Sequence, residues 1–172
     1  RILTAFARID HGYHLLHIAT HLCNLLMVSE QVTVRRTAGF ALLDLAPLLS
    51  HDQRNEVSVE LTRGLELGQQ EFSKYIPAYL GRFYLYLPPE QLEERIRDLE
   101  NSLASSSSRL AAAVLSTVGV LYEHYEPYRQ RFPEQDEVFR GRRERLLGMM
   151  MKGLAATSES VRQEALLVLG DC

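Results

Sequence analysis

Apolar side chains recur along most of the chain with the period of an α-helix. The clearest run is PPEQLEERIRDLENSLAS, in which Leu92, Ile96, Leu99 and Leu103 fall at i, i+4, i+7 and i+11 and form one stripe. Alternation of apolar and polar residues, which is typical of a half-buried strand, occurs only in VSVEL. Its valine and leucine also belong to a series with the helical spacing of four. The pattern therefore predicts an all-α fold.

Polar residues that favour helix starts divide the chain into segments. Ser50 with Gln53, and Ser160 with Gln163, fit a capping box, in which each side chain bonds the other residue's backbone N–H. The periodic segments predict helices over residues 2–28, 34–49, 52–67, 71–86, 89–103, 108–124, 136–155 and 160–170. The connections are short, apart from the stretch around 125–135.

A short motif, VR..A...L, recurs within these helices. It occurs in VRRTAGFALLDLA (34–46) and in VRQEALLVLG (161–170), and weaker versions occur in SKYIPAYLGRF (73–83) and SRLAAAVLSTVGVL (108–121). The spacing of the arginine or lysine in the motif is near the roughly 40 residues of a repeat built from two antiparallel helices, except in the last interval. That interval predicts an insertion, for which YEHYEPYRQRFPEQD is the candidate.

On these residues the chain resembles the HEAT and armadillo type of α-helical repeat. The resemblance covers residues 30–172 and implies a right-handed α–α superhelix, an α-solenoid, of about four helical hairpins. Neighbouring repeats in such a stack cover the apolar face that each hairpin cannot bury alone. The proline and aspartate that usually follow the first helix of a HEAT repeat are poorly kept, although DLAP (44–47) hints at them.

We interpret residues 1–172 as a single helical-repeat domain. The helical segment 1–30 either belongs to the stack or is a capping or preceding element. Because the chain begins with Arg1 inside an apolar pattern and stops just after VRQEALLVLG, we expect it to be a piece of a longer protein. A piece cut from a repeat stack lacks polar end caps and exposes apolar surface. We therefore expect association through these ends, including a homodimer.

Composition and charge narrow the classes of partner. The 172 residues are 46% hydrophobic and 24% charged, which is typical of a soluble domain. A net charge of −3 gives no general attraction to nucleic acid or to an anionic membrane, and no apolar run is long enough to predict a spanning helix. Cys23 and Cys172 lie far apart without a CxxC motif, so they indicate neither a disulfide framework nor a cysteine zinc site. We expect a cytoplasmic protein with no membrane partner.

One segment, HGYHLLHIATH (11–21), suggests metal chemistry. On a helix, Asp10, His14, His17 and His21 form one stripe, and His17 and His21 have the i,i+4 spacing that lets two imidazoles reach one ion. The segment contains no HExxH motif, and a metal site also needs ligands or supporting partners from another helix. We favour an amphipathic helix with a histidine-rich polar edge. Metal binding by a helical-repeat enzyme, or acid–base catalysis, is the alternative.

Aromatic and basic residues concentrate in two places. Tyr75, Tyr79 and Phe83 form a stripe that we interpret as core packing. The second concentration, YEHYEPYRQRF followed by FRGRRERLLGMMMKG, suits either the solvated face of a helix or a surface that grips phosphate or an acidic peptide. The candidate contact residues are Tyr125, Tyr128, Arg129, Arg131, Arg140, Arg142 and Arg143.

The chain has no GxSxG, GxGxxG or P-loop motif, so we assign no catalytic residue and expect no cofactor. We predict a noncatalytic helical-repeat scaffold or protein-interaction module that contacts a protein partner or other domains of its parent chain. The metal-binding enzyme remains one alternative and a nucleic-acid-binding helical-repeat module another. The acidic helix 90–100 and the negative net charge argue against nucleic acid.

Overall fold

Residues 14–67, 75–105, 107–156 and 158–171 are described by the structure, a computed structural model of the chain. These residues form nine α-helices and three short 3-10 helices, and they contain no strand. The all-α prediction is thereby confirmed. The α-helices are α1 (Leu15–Val28), α2 (Val32–Leu45), α3 (His51–Leu67), α4 (Ile76–Phe83), α5 (Pro89–Ser105), α6 (Ser108–Glu123), α7 (Tyr125–Arg129), α8 (Asp136–Leu154) and α9 (Glu159–Gly170). The 3-10 helices are Ala46–Leu48, Tyr84–Tyr86 and Pro133–Gln135.

The predicted helix bounds agree with the observed ones to within two residues for α3, α5, α6, α8 and α9. The prediction that α2 continues to residue 49 is wrong, because the last turn tightens into a 3-10 helix that contains Pro47. The short helix α7 was not predicted, and it lies within the stretch that we interpreted as an insertion. Residues 2–13 and 71–74 of the predicted helices lie outside the described residues.

One of the two predicted capping boxes forms. The amide of Gln53 donates to Oγ of Ser50 over 3.2 Å, and the amide of Ser50 donates to Oε1 of Gln53 over 3.0 Å. The predicted box at Ser160 is wrong, because α9 begins one residue earlier and Ser160 lies within its first turn. The Ser160 hydroxyl instead bonds the Ser158 hydroxyl over 2.9 Å.

The chain divides into two compact units, residues 1–95 and 96–172. In the first unit, α1 packs against α2 and α3, and α4 packs against the same two helices. Its core contains Leu15, Ala19, Cys23, Leu26, Leu42, Leu45, Val57, Leu61, Leu80 and Phe83. The aromatic stripe of α4 packs on α2, since Tyr75 lies under the guanidinium of Arg35 and Tyr79 meets Phe40 edge-on.

A buried hydroxyl pair links α3 to the 3-10 helix after α4. The Thr62 hydroxyl lies 2.7 Å from the carbonyl oxygen of Ser58, to which it donates its only hydrogen. The hydroxyl of Tyr84, which lies 2.5 Å from Oγ1 of Thr62, therefore acts as the donor in that bond. Each hydroxyl oxygen of the pair thus has a hydrogen-bond partner within the core.

In the second unit, α6, α8 and α9 pack against one another, and α7 packs against α6 and α8. The helices approach closely at glycines. A Cβ atom at Gly153 would lie 2.8 Å from a methyl group of Leu115 and 2.9 Å from Cβ of Ala165, and one at Gly119 would lie 2.8 Å from Cβ of Val168. Small residues at these positions therefore set the distance between the helices.

Candidate functional site

The histidine stripe lies on the exposed side of α1. His14, His17 and His21 are all exposed, and the ring centroids of His14 and His17 are 6.3 Å apart. Asp10, the fourth member of the predicted stripe, lies outside the described residues. Across the described part of the chain, no group of three or more His, Cys, Asp or Glu side chains is arranged to hold a metal ion.

The tyrosines of the predicted contact surface lie in the core. Tyr125 and Tyr128 are buried, and their rings form a cluster with Phe132 and Phe139 in which neighbouring centroids are 5.2 to 6.0 Å apart. Offset and edge-to-face ring pairs of this kind add to the free energy gained by burial. The structure therefore places the stretch around 125–135 in the packing of the second unit.

Two of the predicted contact arginines share a carboxylate. Nε of Arg129 lies 3.0 Å from Oδ1 of Asp136, and Nε of Arg140 lies 3.1 Å from Oδ2 of the same residue. Arg129 also lies 3.4 Å from Glu126 through its NH1 atom. These pairs neutralise part of the local positive charge, so the basic stretch presents less of it to a partner than the sequence suggests.

The other three arginines of this set lie over aromatic rings. The guanidinium of Arg142 is buried over Phe139, that of Arg143 lies over Tyr122, and that of Arg131 lies over Tyr128 and Phe132. A cation over a ring face is attracted by the ring quadrupole. The structure therefore places Arg131 and Arg142 against the aromatic cluster and Arg143 against Tyr122. Of the five predicted arginines, Arg131, Arg140 and Arg143 are exposed.

A groove of about 950 Å³ in the first unit was not among the predicted sites. It follows α3 from Asp52 to Leu67 and is bordered by Met27 and Val28 at the end of α1. The apolar residues at its edge are conspicuously accessible, because the side chain of Val28 is 65% exposed and that of Leu67 is 78% exposed. We call this feature the α1–α3 groove.

The α1–α3 groove is acidic. Asp52, Glu56 and Glu60 follow one another at intervals of four along α3, and Arg63 is the one cation among the described residues that line the groove. None of the three carboxylates forms an ion pair with another described residue. The spacing of these acids is visible in the sequence, but nothing in the sequence shows that a groove runs beside them.

Burial changes the acidity of a thiol that lies near this groove. Cys23 in α1 is fully buried and has a free thiol, and burial, with a smaller contribution from the charge of Glu60, raises its pKa to about 12. A thiol with so high a pKa is protonated at neutral pH and is a poor nucleophile. Cys23 is therefore a packing residue of the first unit.

A second cavity, of about 710 Å³, lies in the second unit and has mostly apolar walls. Leu103, Leu115 and Met149 contribute to these walls. At its edge, the guanidinium of Arg145 donates from Nε and from NH2 to the two carboxylate oxygens of Glu100, each over 3.0 Å. In this bidentate ion pair, the positive charge of Arg145 is paired with the negative charge of Glu100.

Within the described residues, no helix is both long enough and apolar enough to cross a membrane. No protein-family model, curated protein or solved structure gives a significant match to this chain.

Proposed function

We propose that the chain is a noncatalytic helical-repeat module that binds another protein through the α1–α3 groove. The observation that carries the proposal is the exposure of Val28 and Leu67 beside a groove of about 950 Å³. Accessible apolar residues that border a groove and are surrounded by polar groups are typical of a protein-binding surface. The partner is a separate protein or another domain of the parent chain.

The repeat architecture is inferred from the pattern of helix contacts within each unit. Alternate helices touch in the first unit, since α1 contacts α3 and α2 contacts α4. In the second unit, the long helices α6 and α9 contact each other, although α7 and α8 lie between them in the chain. Contacts between alternate helices are those that stacked hairpins make. They support a HEAT or armadillo-like α-solenoid, and its right-handed sense is what the resemblance carried by the VR..A...L motif implies.

We also infer a reducing compartment and a surface for self-association. A reducing compartment such as the cytoplasm suits a chain whose Cys23 thiol is free. Association of two copies would use α9, on which Leu166 and Leu167 are 62% and 63% exposed. The groove remains the better candidate for a partner of a different kind, because it combines apolar and charged groups.

Site-specific photocrosslinking tests the proposed function. A photoreactive amino acid replaces Leu67 or Val28 in the full chain, expressed in its own cells, and Leu166, which is 62% exposed, serves as a control position outside the groove. We expect both groove positions to capture the same protein, identified by mass spectrometry, and the Leu166 position not to capture it. If the groove positions yield no common protein, or if Leu166 captures it equally well, the groove is not the binding surface.

A further inference from the structure

We propose that the α1–α3 groove binds a cationic amphipathic helix of its partner. This inference rests on the proposed function and adds to it the chemistry of the bound segment. The groove offers two kinds of contact along one face of α3, carboxylates and apolar side chains, and the partner must match both.

The charge of the groove selects a cationic partner. Asp52, Glu56 and Glu60 lie one helical turn apart, and like charges at i,i+4 destabilise the helix that carries them. Because no described residue forms an ion pair with these carboxylates, lysine or arginine side chains of a partner would relieve their repulsion. The same charges repel nucleic acid phosphates and anionic lipid headgroups.

The apolar residues of the groove select an amphipathic partner. Val59 lies on the same face of α3 as the carboxylates, Leu67 extends that face at its end, and Met27 and Val28 flank it from α1. A partner that carried charge alone would leave Val28 and Leu67 in water. A helix that places apolar residues on one side and cations beside them covers both kinds of group.

The length of the groove matches a helix. Residues 52 to 67 of α3 extend over about 22 Å, the length of a helix of about 15 residues. A strand of the same length would contain only about seven residues and would present half of them to the groove. A bound helix therefore places more side chains in a groove of this length than a bound strand does.

A designed peptide provides the direct test. The peptide is a fluorescent, 16-residue helix with leucines at i, i+3, i+4 and i+7 and lysines on the flanking positions, and its binding to the full chain is followed by fluorescence anisotropy. We expect saturable binding that weakens as salt is added, because the attraction of opposite charges is screened. A peptide of the same composition with the leucine stripe scrambled, and one with glutamate in place of lysine, should bind at least about tenfold more weakly.

Two pairs of variants locate the binding. The exchange Glu56→Lys with Glu60→Lys should weaken the peptide's affinity at least about tenfold, whereas Glu134→Lys with Glu144→Lys, which alters the net charge equally at exposed positions of the second unit, should leave it within about twofold. The exchange Val28→Ser with Leu67→Ser should also weaken binding, and Val138→Ser with Met151→Ser, at exposed positions of the second unit, is its control. Thermal melting verifies that all four variants fold.

The outcomes separate this inference from the proposed function. Equal loss of affinity in the groove variants and their controls means general attraction to an acidic protein and overturns the inference. Absence of peptide binding, or formation of a dimer that the groove variants abolish, also overturns it. If a common protein is nevertheless captured at Leu67 and Val28, the proposed function stands and the partner has a different chemistry.

Discussion

Arg35 and Arg162 make the same contact at two distant places in the chain. Each guanidinium donates to the backbone carbonyl six residues earlier, that of Ser29 for Arg35 and that of Ala156 for Arg162. Both carbonyls lie just beyond the end of the preceding helix, where helical carbonyl groups lack intrahelical partners. The arginine of the VR..A...L motif thus forms a hydrogen bond that connects the start of one helix to the end of the helix before it.

Replacing this arginine should lower stability. We expect Arg162→Met to reduce the free energy of unfolding by about 1–2 kcal/mol, because the bond of 2.7 Å to the carbonyl of Ala156 is lost while most of the aliphatic stem is kept. Urea unfolding followed by circular dichroism measures the change. Arg109→Met is the control, because the exposed Arg109 makes no such bond to a described residue. An equal loss in both variants would show that the hydrogen bond is not the cause.

Alanine substitutions at two glycines of α8 should change the free energy of unfolding in opposite directions. Gly153→Ala should destabilise the chain by about 1–3 kcal/mol, because the added methyl group would overlap Leu115 and Ala165. Gly148→Ala, in the same helix and with open space around it, should stabilise the chain by about 0.5–1 kcal/mol through helix propensity. Chemical unfolding of both variants measures the difference, and a shift of the same sign in both would contradict the close packing at Gly153.

The carboxyl group of Glu164 should make stability depend on pH. Burial raises its pKa above the usual 4.5, although a hydrogen bond from Ser116 acts in the opposite direction. A carboxyl group whose pKa is raised by folding stabilises the fold while it is protonated, and this contribution is lost as the pH rises through the folded-state pKa. Glu164→Gln should therefore raise the melting temperature modestly at pH 7 and have almost no effect below about pH 4. Calorimetry at the two pH values measures both effects, and a gain that is equal at the two values would contradict the assigned cause.

The Cys23 thiol should resist alkylation in the folded chain. Its burial and its pKa of about 12 leave it both inaccessible and protonated at pH 8. In a Cys172→Ser variant, iodoacetamide should label Cys23 only as rapidly as the first unit unfolds, and urea should accelerate labelling in step with the loss of helix. Rapid labelling in buffer, measured by mass spectrometry, would contradict the burial of this residue.

The buried side chain of Asn55 should lower the free energy of unfolding, because its oxygen has no hydrogen-bond donor in the part of the chain that the structure describes. Its Oδ1 atom is buried against the α1–α3 groove and accepts no hydrogen bond from a described residue. Asn55→Leu should raise the free energy of unfolding by about 1 kcal/mol, because it removes an unsatisfied polar atom and improves helix propensity. Asn24→Leu, at an exposed position of α1, measures the propensity gain alone. Equal gains in the two variants would show that the buried oxygen has no effect.

Helical periodicity and the turn residues between segments predicted the all-α class and the positions of most helices. The stripe of Leu92, Ile96 and Leu99 is buried, and the capping box of Ser50 and Gln53 forms. Both features depend on residues close in sequence, and local spacing is what a single sequence reveals. The misplaced box at Ser160 shows the limit, because Ser158, Glu159 and Ser160 are all plausible helix starts.

The sequence was less informative about the site. Tyrosines that alternate with charged residues suggest a surface, but Tyr125 and Tyr128 are buried because Phe132 and Phe139, farther along the chain, pack against them. The groove arises from the packing of α1 beside α3, which are not consecutive helices. Contacts of this kind depend on tertiary structure, so periodicity alone does not reveal them.

The ring cluster of the second unit also limits which residues of that unit can be deleted. In the sequence, residues 125–135 have the pattern of an insertion. Its deletion would restore a spacing of about 40 residues between the basic positions of the VR..A...L motif. Such a deletion would remove Tyr125, Tyr128 and Phe132, which are three of the four rings, and would leave Phe139 beside an empty space. A regular repeat grafted here would need new side chains on α6 and α8 to fill that space. The irregular segment and its two neighbouring helices are therefore best transplanted together.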